Sequence, residues 1–440
     1  MKRVHPHSDD CGKSEMMLFS VPPTQNEINK CKYTETFPVA SLSDNAPIEF
    51  HVPGNGEQYI DLARLQLHLR CKITKADGSD IDAGAKVAPV NLMLHSLFSQ
   101  VNVLLNEKLI SGSSNTYPFK AYIETLLTHG NGIKTSELTA GLFYKDTAGQ
   151  MNVADPAGAN QGLKKRNEFT KESQMVDLMG RLHLDIFNQD RLLLNGVDMR
   201  IKLIRSKNEF CLMSSEADAR YKVVIQEAIL RVLHVTPTSS ALLRHNRMLR
   251  RTPAKYPIIR TECKLFTISP GNPTFTHQNL FLGQIPRRVC LALVKNEALS
   301  GSYKANPFNF ENFDVSFISL NVNGESMPGN PLKLNYDTAG GQTYIRAFYS
   351  LFDSIDSAQL GDGNQLDRFD FANGFAIYAF SLAADRSLGE HFNFQENGTV
   401  AVSFEFGKAL TTTVSVIALG EFDNIIEIDE SRNILFDYNV

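Results

Sequence analysis

Hydrophobic and polar residues alternate with a period of two along many segments of this 440-residue chain. The clearest segments, in chain order, are Ile48–Val52, Leu65–Ile73, Val176–Ile186, Val197–Leu203, Ile259–Leu265 and Val400–Phe406. Alternation places apolar side chains on one face of a strand and polar side chains on the other, which is typical of antiparallel sheets with one wet face. Ile60 and Leu62 have the opposite parity to Leu65, so the pattern also predicts a β-bulge near Ala63–Arg64.

Segments with helical spacing are few. One helix is predicted to begin at Tyr117-Pro118, because proline suits a first helical turn and apolar residues recur at helical spacing up to Leu127. A second helix is predicted after Thr343, which is a suitable N-cap residue, and a third over Ser239–Arg251, which is rich in arginine.

The order of the predicted elements occurs twice along the chain. In each half two strands precede a helix, a further strand follows it, and an Asn-Gly pair at Asn195 or Asn397 introduces the next alternating strand. About eight strands per half predict an all-β fold, a tandem double jelly roll of two eight-stranded antiparallel β-sandwiches with a few short helices in the connections. The predicted divisions are an N-terminal arm (1–44), a first jelly roll (45–236), a linker helix (237–253), a second jelly roll (254–424) and a C-terminal tail (425–440).

Composition and charge narrow the functional classes. Apolar residues make up 42% of the chain, which is too apolar for a disordered protein. The net charge of −4 excludes a generic polyanion binder, which would carry a strong basic excess.

The six cysteines form no Cys-x-x-Cys pair and are too sparse for a disulfide framework, so reduced thiols are expected. Val87–Asn106 is uncharged but contains many polar side chains, and it is predicted to be core of a soluble, unexported protein, with no membrane span.

The search for catalytic and metal-binding patterns finds no assembled site. His5, His7, Asp9, Asp10 and Cys11 offer zinc ligand types at short spacing, and the alternative is a mobile polar tail. Two Asp-rich turns beginning at Asp77 and Asp362 lack the order of an EF-hand loop. His68 and His183 fall on predicted wet faces. The sequence therefore predicts a structural or binding protein rather than an enzyme, with no cofactor and no metal.

Two basic clusters allow more than one interpretation. Lys164-Lys165-Arg166 fits a nuclear signal or a solvated loop. The arginines of Arg244–Arg251 fit a nucleic-acid contact, a solvated helix face or a subunit contact.

Longer strings of the sequence resemble a known family. They are Cys11-Gly-Lys-Ser14-Glu15, Leu18-Phe-Ser-Val-Pro22-Pro23-Thr24-Gln25, Leu94-His95-Ser96-Leu97-Phe98-Ser99-Gln100-Val101 and Asn115-Thr116-Tyr117-Pro118-Phe119-Lys120-Ala121-Tyr122. These strings resemble the major capsid (hexon-type) protein of the Polinton/Maverick and adintovirus group, most densely over residues 11–127. The resemblance implies a double jelly-roll protein whose homotrimers, with a pseudo-sixfold outline, tile an icosahedral shell around double-stranded DNA.

The resemblance also implies partners and a location. The partners are further copies of the chain, first in the trimer and then in neighbouring capsomers, a penton-type single jelly-roll protein at the vertices, minor capsid proteins and the packaged DNA. The protein would be made in the host cytoplasm, assembled in the nucleus and found in the virion capsid.

Two segments are candidates for subunit contacts. Met16, Met17, Leu18 and Phe19 form an apolar patch in the predicted arm, which we expect to dock under the capsomer or onto a neighbour. The long segment Gly130–Thr170 has few large apolar residues after Leu142, Phe143 and Tyr144, so it needs an external support to be ordered. We expect Phe143 and Tyr144 to anchor it at or near the contact within the trimer, and Ala154–Gly162 to stay exposed.

Two other functional classes stay open from the residues alone. The first is a β-sandwich carbohydrate-binding protein of the lectin or cupin kind, although no cupin-like His/Glu metal set can be assembled. The second is an enzyme of unrecognised type, such as a glycosidase that uses a carboxylate pair.

Overall fold

The computed structural model describes residues 7–8, 11–44, 46–112, 114–339, 341–355, 363–385 and 391–438. The strands of the first half are β1 (Ile28–Thr36), β2 (Ile48–Val52), β3 (Tyr59–Lys75), β4 (Val87–Pro89), β5 (Phe98–Leu105), β6 (Lys108–Leu109), β7 (Val176–Gly180), β8 (Met199–Arg205), β9 (Leu212–Ser214) and β10 (Tyr221–Pro237). Those of the second half are β11 (Ala254–Ile268), β12 (Thr274–Gln284), β13 (Arg288–Lys295), β14 (Val315–Val322), β15 (Glu325–Lys333), β16 (Ile377–Ser381), β17 (Asn397–Phe406), β18 (Val414–Ile428) and β19 (Ile434–Phe436).

The two halves have the same sheet topology. In the first half one sheet has the order β1-β10-β3-β7 and the facing sheet has the order β2-β8-β5-β6. In the second half the corresponding orders are β11-β18-β13-β16 and β12-β17-β14-β15, strand for strand. The pairs within these sheets are antiparallel, which is the arrangement of a jelly roll. We call the two sandwiches roll 1 and roll 2, and the fold is the predicted tandem double jelly roll.

The helices lie in the connections between strands. They are α1 (Met93–Ser96), α2 (Tyr117–Thr128), α3 (Asn131–Thr135), α4 (Gln161–Thr170), α5 (Asn208–Cys211), α6 (Ser239–Leu249), α7 (Asn296–Ser300), α8 (Ile345–Ser354) and α9 (Arg368–Ala372). The helices predicted near Tyr117, Thr343 and Ser239 are therefore present. Thr238 caps α6 by accepting a hydrogen bond from the amide of Ala241, and the strands on either side of α6 belong to different sheets.

The alternation of the sequence sets the side-chain directions in the long strands. Leu67, Leu69 and Cys71 of β3 are fully buried, whereas the polar residues between them lie on the other face. The predicted bulge is confirmed, because the pairing of β3 with β10 shifts register between Asp61 and Gln66.

Three boundaries differ from those predicted. Ile28–Thr36 lies in the predicted arm but forms β1, an edge strand of roll 1 paired along β10. In the predicted C-terminal tail, β18 continues to Ile428 and β19 pairs with it. The predicted strand Val176–Ile186 ends at Gly180, where the chain leaves the sheet. Beyond that point a carboxylate oxygen of Asp185 accepts a hydrogen bond from the backbone amide of Thr261 in roll 2.

No helix in the described part of the chain combines the length and the apolar character that crossing a membrane requires.

Candidate functional site: the inter-roll interface and exposed apolar patches

An aromatic cluster joins the two rolls. Tyr122 of α2 stacks on Phe308 of roll 2 with ring centroids 4.2 Å apart and an interplanar angle of 20°. Phe119, one turn earlier on the same helix, meets the same ring edge-on at 6.0 Å, and Phe310 meets Tyr122 at 5.9 Å. All four side chains are buried. Aromatic pairs in these geometries stabilise a contact beyond their buried area, so the cluster fixes roll 2 against α2.

A fully buried ion pair lies beside the aromatic cluster. The guanidinium of Arg166 donates to Asp146 over 2.6 Å, and both side chains have no solvent exposure. Arg166 also donates to the carbonyl oxygens of Pro89 and Tyr144. The second carboxylate oxygen of Asp146 accepts a hydrogen bond from the side-chain amide of Asn306, which belongs to roll 2. Each charge is therefore paired and hydrogen-bonded, which is the condition for burying it.

Two lysines of roll 1 reach the connection between β15 and β16 in roll 2. Lys134 is buried, and its amino group donates to the carbonyl oxygens of Leu126 and Asn364, each over 2.7 Å. Lys145 pairs with Asp370 over 2.5 Å. Burial, and then the nearby charge of Lys145, lower the pKa of Lys134 to about 7.

A further group of inter-roll contacts comes from the C-terminal strand β19 and the turn before it. Arg432 donates from its guanidinium to the backbone oxygen of Asn195 in roll 1 over 2.7 Å. The side-chain amide of Asn106 donates to the carbonyl oxygen of Arg432, and the amino group of Lys108 donates to that of Ile434; both donors belong to roll 1. The segment predicted as a tail thus contacts both rolls.

The structure places Phe143 and Tyr144 inside the subunit. The side chain of Phe143 is buried within its own chain, and Tyr144 is half-buried and stacks on Phe169 at 5.9 Å. Phe143 therefore packs within its own subunit, and its side chain is not available to a neighbouring copy. That this segment lies near a trimer contact stays a prediction.

The expectation that Ala154–Gly162 stays exposed is wrong for much of the segment, although Ala157, Ala159 and Gln161 are exposed. Ala154, Asn160 and Gly162 are buried, and the Asn160 side chain accepts from the amide of Leu163 to cap α4. Polar contacts also hold this stretch to its own chain, because the backbone amide of Thr147 donates to the Asn160 side chain and that of Gln161 donates to the Thr147 hydroxyl.

The apolar patch Met16–Phe19 is exposed. Met16, Met17, Leu18 and Phe19 keep between 57% and 100% of their side-chain exposure. The patch follows a single 3-10 turn at Ser14–Met16 and precedes β1, which ties the segment to the edge of roll 1. Its docking partner stays a prediction.

A cleft of about 360 Å³ near the end of β7 brings together residues that the sequence did not connect. His183 was expected on a wet face but is buried, with its ring nitrogen 3.4 Å from Glu124. His95 packs edge-on against His183 at 4.6 Å and bonds to the hydroxyl of Tyr117. Burial lowers the pKa of His95 well below its usual range, and burial likewise lowers that of His129 to about 4.

The ligand-type residues of the described chain do not converge. Among the described residues no group of three or more His, Cys, Asp or Glu side chains is placed to hold a metal ion. Of the candidate zinc ligands, His7 and Cys11 are exposed, whereas His5, Asp9 and Asp10 lie outside the described residues, as does Asp362.

The two basic clusters face different surroundings. Arg166 is buried in the ion pair with Asp146, so the expectation of a solvated loop at Lys164–Arg166 is wrong for this residue. On α6, Arg244 pairs with Glu27 of the N-terminal segment and Arg250 lies 3.5 Å from Glu430. Part of the charge on α6 is thus neutralised within the chain.

Comparisons with known proteins agree with this architecture. No protein-family model matches the chain. An uncharacterized protein of Caenorhabditis elegans is 26% identical over 436 residues, which span 95% of this chain and 99% of the relative. Among solved structures, a chain of the Sputnik virophage is similar with a TM-score of 0.67 at 13% identity, over 100% of this chain and 94% of that chain. The mavirus major capsid protein is similar with a TM-score of 0.55 at 12% identity, over 99% and 95% of the two chains. The faustovirus major capsid protein is similar with a TM-score of 0.56 at 8% identity, over 94% and 92%. This chain therefore has the double jelly-roll fold of viral major capsid proteins.

Proposed function

We propose that this chain is a major capsid protein of the Polinton/Maverick and adintovirus group. In this proposal three copies form a trimer with a pseudo-hexameric outline, and trimers tile an icosahedral shell around double-stranded DNA. The observation that carries it is the repeated sheet order, which occupies nearly the whole chain and is similar along its full length to a virophage chain.

The inter-roll interface supports this role. Because the aromatic cluster, the buried ion pair and the C-terminal strand all join the rolls, the subunit can act as two similar wedges in a fixed relation. Three such subunits arranged around a threefold axis would present six comparable sides, and each subunit contact would be heterologous within a closed ring. A permanent trimer of this kind typically buries upwards of about 2,000 Å² per interface.

The proposal includes the surroundings of the capsomer. Neighbouring trimers, a penton-type single jelly-roll protein at the vertices, minor capsid proteins and the packaged DNA are its partners. The chain would be made in the host cytoplasm, assemble in the nucleus and remain in the virion as a structural, non-catalytic component that needs no cofactor.

Mass photometry and electron microscopy of the purified chain test the proposal. We expect a stable particle of three times the 49.1 kDa chain mass, and closed shells at higher protein concentration. A chain that stays monomeric at micromolar concentration would contradict it. A monomer that binds glycans would instead favour a β-sandwich carbohydrate-binding protein.

A further inference from the structure

The two rolls carry corresponding helices that have very different surroundings. Helix α2 lies in the connection between β6 and β7, and α8 lies between β15 and β16, which are the matching strands of roll 2. In each helix an alanine faces its own sandwich and is fully buried, Ala121 in α2 and Ala347 in α8. Aligning the two alanines places Ile345 at the position of Phe119, and Phe348 at the position of Tyr122.

Roll 2 covers the outer face of α2. Phe119 and Tyr122 are buried there by Phe308 and Phe310. Both covering residues come from the connection between β13 and β14. The inter-roll interface is thus a contact between the helix of one roll and the β13–β14 connection of the next roll.

The exposed face of α8 carries two apolar side chains, Ile345 and Tyr349, beside two charged ones, Arg346 and Asp353. Ile345 is 37% exposed and Tyr349 is 55% exposed, and Phe369 of the following helix α9 is 60% exposed. Phe348 is half-buried against Phe352 and Phe371. We call Ile345, Phe348, Tyr349 and Phe369 the α8 patch. Large exposed apolar side chains grouped on one surface are a feature of contact surfaces.

We propose that the α8 patch binds roll 1 of a second copy of this chain, in the contact that α2 makes with roll 2 inside one subunit. The inference rests on the proposed trimer. In a closed ring of six rolls, the helix of each roll would contact the next roll. Within one subunit only α2 makes this contact, with roll 2, so the helix α8 would make it with roll 1 of the next subunit. The α8 patch then continues the inter-roll interface from one subunit into the next.

The repeat also indicates which part of the second copy is contacted. The connection of roll 1 that matches β13–β14 is the segment between β3 and β5, residues 76–97. Residues 87–97 of this segment are buried in their own subunit, whereas its tip, residues 77–86, is mostly exposed. The tip carries Asp77, Asp80 and Asp82, of which Asp80 and Asp82 also pair with Lys72 and Lys75 of the same chain. Arg346 and Arg368 are exposed next to the α8 patch. Opposite charges at the rim of such a contact orient the partners as they associate.

A charged substitution in the α8 patch tests the proposal, with a matched control on another helix. Tyr349→Glu should leave the monomer folded, because the side chain is largely exposed, but should raise the trimer dissociation constant about tenfold or more. Leu243→Glu on α6 replaces a side chain of similar exposure, 58%, and should leave the trimer unchanged. The measurements are mass photometry across a dilution series and circular dichroism for folding.

A photo-cross-linking benzoylphenylalanine in place of Tyr349 provides a readout that does not depend on disrupting the trimer. We expect cross-links between two chains that map to residues 76–97. Cross-links elsewhere, or a Tyr349→Glu trimer as stable as the wild type, would overturn the inference while leaving the trimer proposal intact. A wild-type chain that forms no trimer would instead contradict both.

Discussion

Arg166 and Asp146 form an ion pair that is entirely removed from solvent, at the point where the long segment of roll 1 meets roll 2. Removing two charges from water costs several kcal/mol per ion, and the cost is offset only where both ions are well hydrogen-bonded. Here Asn306 and the carbonyl oxygens of Pro89 and Tyr144 complete the set of partners. The network therefore favours one arrangement of the rolls, because any other would leave a charge buried without a partner.

We expect Asp146→Asn to destabilise the chain by about 3–5 kcal/mol, because it leaves the Arg166 guanidinium buried without its counter-charge. The matched control is Asp155→Asn, which removes a carboxylate paired over 2.7 Å with the exposed Lys86 and should cost no more than about 1 kcal/mol. Thermal denaturation measures both. Equal losses for the two variants would show that burial of the Arg166 pair does not govern its contribution.

The residues of the inter-roll interface were the least predictable from sequence. Arg166 follows two lysines, and nothing in its local charge distinguishes a buried arginine from a solvated one. His183 continues an alternating pattern whose strand ends at Gly180, so its parity predicted the wrong environment. In both cases tertiary contacts with another part of the chain decide the burial, and these contacts have no local signal.

Strand β1 is held to β10 mainly by backbone hydrogen bonds. It pairs with β10 from Ile28 to Thr36, yet seven of its nine residues are exposed and the other two are only partly so. Its hydrogen bonds cover the edge of β10, and an uncovered edge strand would offer free amide and carbonyl groups to other chains. The exposed patch Met16–Phe19 lies before this strand and makes no comparable ladder.

Two truncations separate the roles of these neighbouring segments. Deleting residues 1–24 should leave the melting temperature and the proposed trimer unchanged but impair shell formation, because it removes only the exposed patch and its flanks.

Deleting residues 1–40 should also lower the melting temperature and increase light scattering, because it uncovers the edge of β10. Normal shells from the shorter deletion would argue against docking of the patch, and identical melting of the two truncations would argue against a protective role for β1.

The elements with regular alternation were predicted well, and those without it were not. The repeated order of strands and helices follows from hydrophobic periodicity, which reports one buried face whatever the loop lengths. β1 has no such period because its side chains are exposed on both faces, and its stretch was therefore assigned to an arm. Phe143 is buried within its own chain, but a single sequence does not say whether the same chain or another chain supplies the support for a long segment.

At the scale of the whole molecule, the two rolls are joined by groups from three separate parts of the chain. The aromatic cluster, the Asp146 network and the C-terminal strand each cross the inter-roll interface. Lys134 adds a contact whose protonation changes near neutral pH, since its amino group bonds only to carbonyl oxygens and its pKa lies at about 7. Two carbonyl acceptors can be satisfied by the neutral amine, which still carries two hydrogens.

Because the pKa of Lys134 is lowered in the folded chain, we expect the free energy of unfolding to depend on pH through this residue. The pKa is about 7 in the folded chain and returns to about 10.4 on unfolding, so between these values the unfolded chain binds more protons and stability rises with pH. Through this one group the free energy of unfolding rises by up to about 1.4 kcal/mol per pH unit. Below about pH 7 both the folded and the unfolded chain carry the proton, so Lys134 no longer makes the free energy of unfolding depend on pH.

The measurement is urea denaturation of the wild type and of Lys134→Met between about pH 6 and pH 9. We expect the stability advantage of the wild type over the variant to be smallest near pH 6 and to grow steadily above pH 7, because only the wild type sheds the cost of a buried charge. Lys86→Met is the control, since the ion pair with Asp155 holds the pKa of Lys86 above its ordinary value and its effect should not change over this range. A constant difference between the wild type and Lys134→Met from pH 6 to pH 9 would show that the inter-roll amine keeps its proton throughout.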